Sequence, residues 1–357
     1  MPAVVFVLAL LARLAYFAAD PNWNAPDSHK YLHPAESLVA GEGFSHDGEP
    51  ETLRTPGYPL LLAVLNALHL TPRQIVFLQH LASALLAAAL TFAAKRATGS
   101  SLIGAVAGLY AAIDLPTIFH ANQILTETFF TILCALFVWI LWRFGEAANI
   151  SAASAAATGL LLGFLILVRP LTILFIIPAA LYLLWIRQRG RVRVVLAFTI
   201  AALLLPIGWI ARNSRVAGIA TISTNGAVLL ADFHAPGALA MEDPEGPANF
   251  ERRQREVRAL ADARVRAALG PVDLGTLPYA KRAAIDAQLG REILRAHPIG
   301  FAKLFAWGVA ANLLGGSAEA VVRIAPLSRS EANALLLPYN ILALVLAVAG
   351  QLWLLAR

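Results

Sequence analysis

Long apolar runs separated by short polar connections dominate this chain, and their lengths predict its elements. Runs near residues 3–19, 74–94, 101–115, 117–143, 153–168, 171–186, 194–211, 299–315 and 335–355 read as membrane-crossing helices, because a hydrocarbon core takes roughly 20 residues of apolar helix. The stretch 57–70 is apolar but only about 14 residues long, so it is expected to lie at the interface or re-enter. Two polar tracts interrupt the pattern, a first loop at 20–72 and a long insertion at 213–297. Within the insertion, "NFERRQREVRALADARVRAALG" and "LPYAKRAAIDAQLGREILRAHP" read as solvated helices, the second stopping before Pro298. The expectation is an all-α polytopic membrane protein in which each helix satisfies its own backbone hydrogen bonds in lipid. It forms a single domain over 1–357, with a helical first external loop and a small external helical insertion.

Composition sharpens that picture. The 357 residues are 59% hydrophobic and 14% charged, with a mean hydropathy of +0.67, whereas soluble domains carry about 25% charged residues. A string of soluble domains is therefore excluded. The net charge of +6 does not point to nucleic acid, because the arginines sit in loops beside apolar runs, where they set topology. Cys134 is the single cysteine, so no intramolecular disulfide forms. The first run is short and ends in small residues like a cleaved leader. It lacks a basic start and Arg13 interrupts it, so a retained helix is expected.

The short loops give an orientation. Lys95 with Arg96, then Arg143, then "RQRGRVR" at 187–193 fall on alternate connections, which makes that side cytoplasmic. The first loop then lies outside, where Asp20, Asp27, Glu36, Glu42, Asp47, Glu49 and Glu51 outweigh Lys30 and Arg54. On the same outer level fall Glu127 in "NQILTETFF", Arg169 in "LVRPLTI", and Arg212 with Asn213. An ionisable group near hydrocarbon costs about 2.5–3.5 kcal/mol, so such groups face the bundle interior or a wet cavity. Two carboxylates and two guanidiniums there suit an anionic lipid headgroup and a reaction that needs a base. Taken singly, the arginines are also explained as snorkelling at helix ends, Glu127 as a packing ion pair and Asp27 as a loop acid. Arg13 either faces the same cavity or pairs with an acid. His29 and His33 share a helical face with His46 nearby, a spacing too weak to assign a divalent ion. No metal and no cofactor are assigned.

The local sequences around these residues carry a resemblance. "PDSHKYLHPAESLVAGEGFS…RTPGYPLLLAVLNAL" resembles the first external loop of the bacterial membrane glycosyltransferases related to dolichyl-phosphate-mannose–protein mannosyltransferases. There an acid precedes Tyr, a small-residue helix, Gly-x-Gly-Phe and Arg-x-Pro-Gly-Tyr-Pro. "ILTETFFTIL", "GLLLGFLILVRPLTILFIIPAAL", "PIGWIARNSRVAGIATISTNGAVLL" and "REILRAHPIGF" are similar to later segments, in order, over roughly residues 10–310. Three features depart from the pattern: Asp27 is followed by Ser28 where many relatives carry a second acid, "NGAVLLADFHAPGA" differs, and one apolar run follows 299–315 where relatives carry more.

The resemblance implies a GT-C helical bundle in the bacterial inner membrane. Such enzymes transfer a sugar, hexosyl or pentosyl, from a polyprenyl-phosphate carrier on the periplasmic side, with the catalytic acid in the first external loop. It implies Asp27 as general base, in a pocket whose desolvation would raise its pKa. Glu127 is the second catalytic candidate, orienting an arginine or meeting sugar hydroxyls. Arg169 and Arg212, then Lys30 and Arg54, are candidates for the carrier phosphate, since guanidinium forks match phosphate oxygens. Tyr31, Tyr58 and Asn213 are candidates for lining the substrate path. The implied partners are the lipid-linked donor, an unidentified acceptor and the bilayer. A lipid-linked sugar flippase or other transporter competes, although no inverted repeat is visible, as does a non-catalytic assembly subunit.

Overall fold

The computed structural model describes residues 1–186, 190–314 and 318–355. Apart from one short β-ribbon the described residues are helical or in turns, and they form two compact units, Met1–Ser223 and Thr224–Arg357. The first unit runs through α1 (Pro2–Ala19), α2 (His29–Val39), the antiparallel ribbon β1 (Ser45–His46) and β2 (Glu49–Pro50), α3 (Gly57–Ala67), α4 (Pro72–Thr98) and α5 (Ser101–Ile113). It continues with α6 (Leu115–Ala121), α7 (Thr126–Glu146), α8 (Ala152–Val168), α9 (Ile176–Trp185) and α10 (Arg191–Ala217). The second unit holds α11 (Asn225–Leu229), α12 (Ala235–Glu242), α13 (Phe250–Leu269), α14 (Tyr279–Ala296), α15 (Pro298–Leu314), α16 (Ala318–Val322) and α17 (Arg329–Leu355).

Among the described residues, α1, α4, α7, α10 and α17 are long and apolar enough to cross a membrane; α5 with α6, bent by 48°, would make a sixth span. The chain is an all-α polytopic membrane protein. On α10, Val192, Leu196, Ile200, Leu204 and Ile207 recur at helical spacing and are all exposed, the face a lipid-bathed helix presents. Inward, α8 and α10 meet through a Gly-x-x-x-Gly pair. A Cβ at Gly159 would lie 2.1 Å from the Phe198 carbonyl oxygen, and one at Gly163 would lie 2.8 Å from that of Ala202. Lacking side chains there, the two backbones pack directly. Leu162, Leu165 and Ile166 then fill a core with Phe137, Leu183 and Phe198.

Several elements differ from the sequence expectation. The expected helix at 117–143 is broken between Ala121 and Thr126. Buried Asn122 and Gln123 occupy the gap and are held by α4: His80 Nε2 lies 3.0 Å from Asn122 Oδ1, and Gln79 Nε2 donates to the Gln123 carbonyl at 2.7 Å. Asp114 caps α6 by accepting from Thr117 N at 3.1 Å, which separates it from α5. The run at 171–186 opens as a 3-10 turn, Pro170–Phe175, before α9. The last helix begins at Arg329 rather than 335, because Ser328 and Glu331 form a reciprocal cap: Ser328 N donates to Glu331 Oε2 at 2.8 Å and Glu331 N to Ser328 Oγ at 3.3 Å. Residues 187–189 of the basic run lie outside the described residues.

In the second unit α13 and α14 sit where the charge pattern put them, but they are more than solvated rods. Val257, Ala261 and Val265 form a buried stripe on α13, and Ala283, Leu289 and Gly290 are buried on α14. Arg282 joins the two helices through Asp262 at 3.1 Å and Asp286 at 2.7 Å. Residues 225–242, part of the expected helical insertion for which no individual helix was assigned, fold as α11, a π-helical turn and α12.

Candidate active site

The first loop is a built structure. Gly41 and Gly43, with φ of +80° and +78°, turn the chain from α2 into the ribbon. After the ribbon, Glu51 Oε1 accepts from the backbone N–H groups of Leu53 and Arg54, the latter at 3.0 Å. Thr55 Oγ1 donates to the Val168 carbonyl at 3.4 Å, and a Cβ at Gly57 would lie 2.7 Å from the Leu167 backbone. Arg54 is therefore held against the end of α8 and points to a fixed place. That place is Asp27, on the turn that starts α2. Arg54 donates to Asp27 Oδ2 at 2.7 Å, and Lys30 donates to Oδ1 at 2.8 Å. Ser28, which follows Asp27, is fully buried, and its Oγ accepts from Ala25 N at 2.9 Å.

The expected raised pKa of Asp27 is not found. Burial pushes it up, but the hydrogen bond and charge from Lys30 and the charge of Arg54 outweigh burial and hold it below 3.8. The carboxylate is ionised because two cations grip it.

Glu127 and Arg169 form a second pair. α7 begins at Thr126, which places Glu127 in its first turn; Arg169 closes α8 in an extended conformation just before Pro170. Arg169 NH2 lies 2.6 Å from Glu127 Oε1, its Nε donates to Thr126 Oγ1 at 3.1 Å, and its guanidinium covers the Phe130 ring at 5.0 Å. Both residues line a cavity of about 210 Å³ together with Ser83, Thr117, His120 and Thr128. Glu127 Oε2 and Thr128 Oγ1 are buried there without a hydrogen-bond partner. Leu86 and Ile132 belong both to this cavity and to an apolar groove of about 430 Å³ between α4 and α7, which runs on to Phe92 and Trp139.

Tyr31 links the two pairs. The Arg54 guanidinium lies over its ring at 5.1 Å, and the ring meets Tyr58 edge-on at 5.6 Å. Burial raises the Tyr31 pKa, and Arg54, Glu127, Asp27 and Arg169 all act on its hydroxyl through their charges. Tyr58 is buried and donates to Gln79 Oε1 at 2.9 Å, so it packs the site from below.

Arg212 stands apart. Its NH1 donates to the Glu51 carbonyl at 2.7 Å and to Asn213 Oδ1 at 3.0 Å, its NH2 donates to the Phe44 carbonyl at 2.5 Å, and it covers the Trp209 ring at 4.8 Å. Asn213 is fully buried and donates to the Thr221 carbonyl at 2.8 Å. Arg13 is closed off from solvent, and of the acids Asp114 acts on it through its charge. It is 1% exposed and donates to Ser83 Oγ at 2.9 Å, to the carbonyls of Ala9, Ala111 and Ala112, and to Thr117 Oγ1. The Ala111 and Ala112 carbonyls belong to the last turn of α5, where no intrahelical donor is available. Sequence reasoning overlooked Gln79, Ser83, Thr117, His120 and Thr128; the signal was polar residues inside apolar runs, as in "LQHLAS" and "HANQ".

The expected single group of two acids and two guanidiniums is thus three arrangements: Asp27 with Lys30 and Arg54, Glu127 with Arg169 on a cavity, and Arg212 on backbone carbonyls. They belong to an integral membrane protein with its charged site at the ends of the helices. Residues 53–210 match the model of the dolichyl-phosphate-mannose-protein mannosyltransferase family, so this stretch is similar to that family of membrane glycosyltransferases. The match takes in Arg54, Tyr58, Glu127 and Arg169; Asp27, Lys30, Tyr31, Arg212 and Asn213 lie outside it. No curated protein and no solved structure matches the chain.

Proposed function

We propose that the protein moves a sugar from a polyprenyl-phosphate-linked donor to an acceptor at the periplasmic, non-cytoplasmic face of a bacterial inner membrane. The observation that carries this reading is the pair of buried, unpartnered oxygens, Glu127 Oε2 and Thr128 Oγ1, beside the Arg169 guanidinium at the mouth of an apolar groove. Buried polar atoms are normally hydrogen-bonded, and sugar hydroxyls would supply the missing partners. Arg169 takes the carrier phosphate, and the groove between α4 and α7 takes the isoprenoid. From Ala82 to Ala93 the groove follows α4 for about 17 Å at 1.5 Å per residue. The orientation draws support from Arg96, Arg143 and Glu146, which cluster at the far ends of α4 and α7 from Glu127.

In the reaction the acceptor oxygen attacks the anomeric carbon, the bond to phosphate breaks, and the carrier phosphate departs with the electron pair. Asp27 receives the acceptor proton, and the anomeric configuration inverts. A carboxylate gripped by two cations is a weak base. Arrival of the donor phosphate draws Arg54 from Asp27 and frees one oxygen, which couples proton transfer to donor binding. Arg169 stabilises the charge that grows on the leaving phosphate. Lys30 keeps Asp27 ionised in the resting site, and Tyr31, backed by Tyr58, bridges the base and the Glu127–Arg169 pair. Arg212 and Asn213 position the loop.

The test is turnover by purified protein in lipid nanodiscs, offered a panel of polyprenyl-phosphate sugars and read by product mass spectrometry. The reading requires free carrier phosphate and a glycosylated acceptor. Carrier movement between leaflets with the sugar bond intact would make the protein a flippase.

A further inference from the structure

Beside Asp27, two segments bring metal-ligating side chains together. His33 lies on α2, one helical turn beyond His29; His46 ends β1 and Asp47 opens the turn that joins it to β2. The His33 and His46 rings stack at 4.9 Å and 25°, and the His29 ring lies 6.0 Å from the first and 6.2 Å from the second. His33 Nδ1 is 3.9 Å from Asp47 Oδ1, and His46 Nε2 is 3.4 Å from Asp47 Oδ2. One donor atom from each of His33, His46 and Asp47 falls within 4.8 Å of the others. Zinc binds imidazole nitrogen and carboxylate oxygen at about 2.0–2.2 Å in a tetrahedron, which sets ligand atoms roughly 3.4 Å apart. Small rotations of the exposed His33 and Asp47 side chains about the half-buried His46 close the difference.

We propose that His33, His46 and Asp47 bind a divalent metal ion of the zinc class, with the adjacent His29 as the fourth ligand. Donor type favours zinc over magnesium or calcium, which take oxygen ligands. Four protein ligands make the site closed and structural. Its consequence lies in the chain order: α2 begins two residues after Asp27, and β2 ends four residues before Arg54. A metal that ties α2 to the ribbon therefore ties together the segments that carry both halves of the Asp27–Arg54 pair.

The experiment uses full-length protein without a histidine tag, purified in detergent, loaded with Zn²⁺ and dialysed. Elemental analysis should give one zinc per chain, and Co²⁺ substitution should give the intense visible bands of a tetrahedral site. His33→Ala and Asp47→Asn should each lower zinc affinity at least tenfold. These side chains are 46% and 80% exposed, so their replacement leaves the fold intact. His69→Ala, outside the cluster, should retain the metal. Zinc should also raise the thermal unfolding midpoint of the native chain but not of the His33→Ala variant. Absence of bound zinc, or zinc retained unchanged by both variants, overturns the proposal. The readout is metal content, so failure leaves the transferase reading standing, and Asp27→Asn should keep its zinc whatever happens to turnover.

Discussion

Arg169 and Arg212 occupy similar places, each near the end of an apolar helix, and the fold employs them differently. Arg212 gives its donors to the carbonyls of Phe44 and Glu51, so its charge holds the first loop against α10. Arg169 is paired with one oxygen of Glu127 on a cavity wall, and the other oxygen of that acid is unpartnered. A guanidinium bound to backbone carbonyls is a structural tie, because leaving them unsatisfied is costly. One bound to a carboxylate at a cavity can exchange that partner for a phosphate. The identity of the partner separates the two arginines, where position along the helix does not.

The largest effect should come from the base that the comparison leaves to the loop. Asp27→Asn is expected to lower turnover by about 10²–10⁴-fold with unchanged thermal unfolding; near-normal turnover would move the base elsewhere. Next comes the contrast itself. Arg169→Ala should lower kcat/KM for the lipid-linked donor by about 10²-fold with a small change in stability. Arg212→Ala should instead cost about 2 kcal/mol of stability in denaturant titration, with donor kinetics of the folded fraction nearly normal. The reverse pattern would exchange the two roles.

A third effect is a shift along the pH axis. Because the folded pKa of Asp27 lies below 3.8, its ionised form and the stability this contributes are complete above 3.8. Both are lost as pH falls through the lowered value. The acid limb of kcat/KM should therefore fall below pH 3.8, and Lys30→Ala should move it upward, since one hydrogen bond and one charge that lower it are lost. A limb near neutrality that ignores Lys30→Ala would assign proton acceptance to a histidine. The smallest effect is expected for Thr128→Val. It removes an unpartnered buried hydroxyl, so stability should hold or rise while KM for the donor sugar increases several-fold.

The helical bundle could be read from run lengths because lipid forces backbone hydrogen bonds to close within each helix. What escaped was set by polar contacts between distant segments. The gap after α6 depends on Gln79 and His80 reaching Asn122 and Gln123, forty-odd residues away; hydropathy averages such residues out. The charged residues could be picked by type, but their pairing could not: Arg54, ranked behind Arg212, is the one that meets Asp27, because Glu51 and Gly57 fix the turn between them. The raised Asp27 pKa failed for the same reason, since burial was foreseeable and the two gripping cations were not.

Arg13 has a consequence beyond tying α1 to three other helices. It lies behind Ser83 and Thr117, two residues of the cavity wall, and arginine keeps its charge under all conditions. With little solvent around it, this guanidinium stands behind the chamber floor together with Asp114, whose charge opposes it, whether or not Arg169 is engaged. By donating to the Ser83 and Thr117 oxygens the guanidinium fixes those two hydroxyls, so the floor is oriented before any ligand arrives.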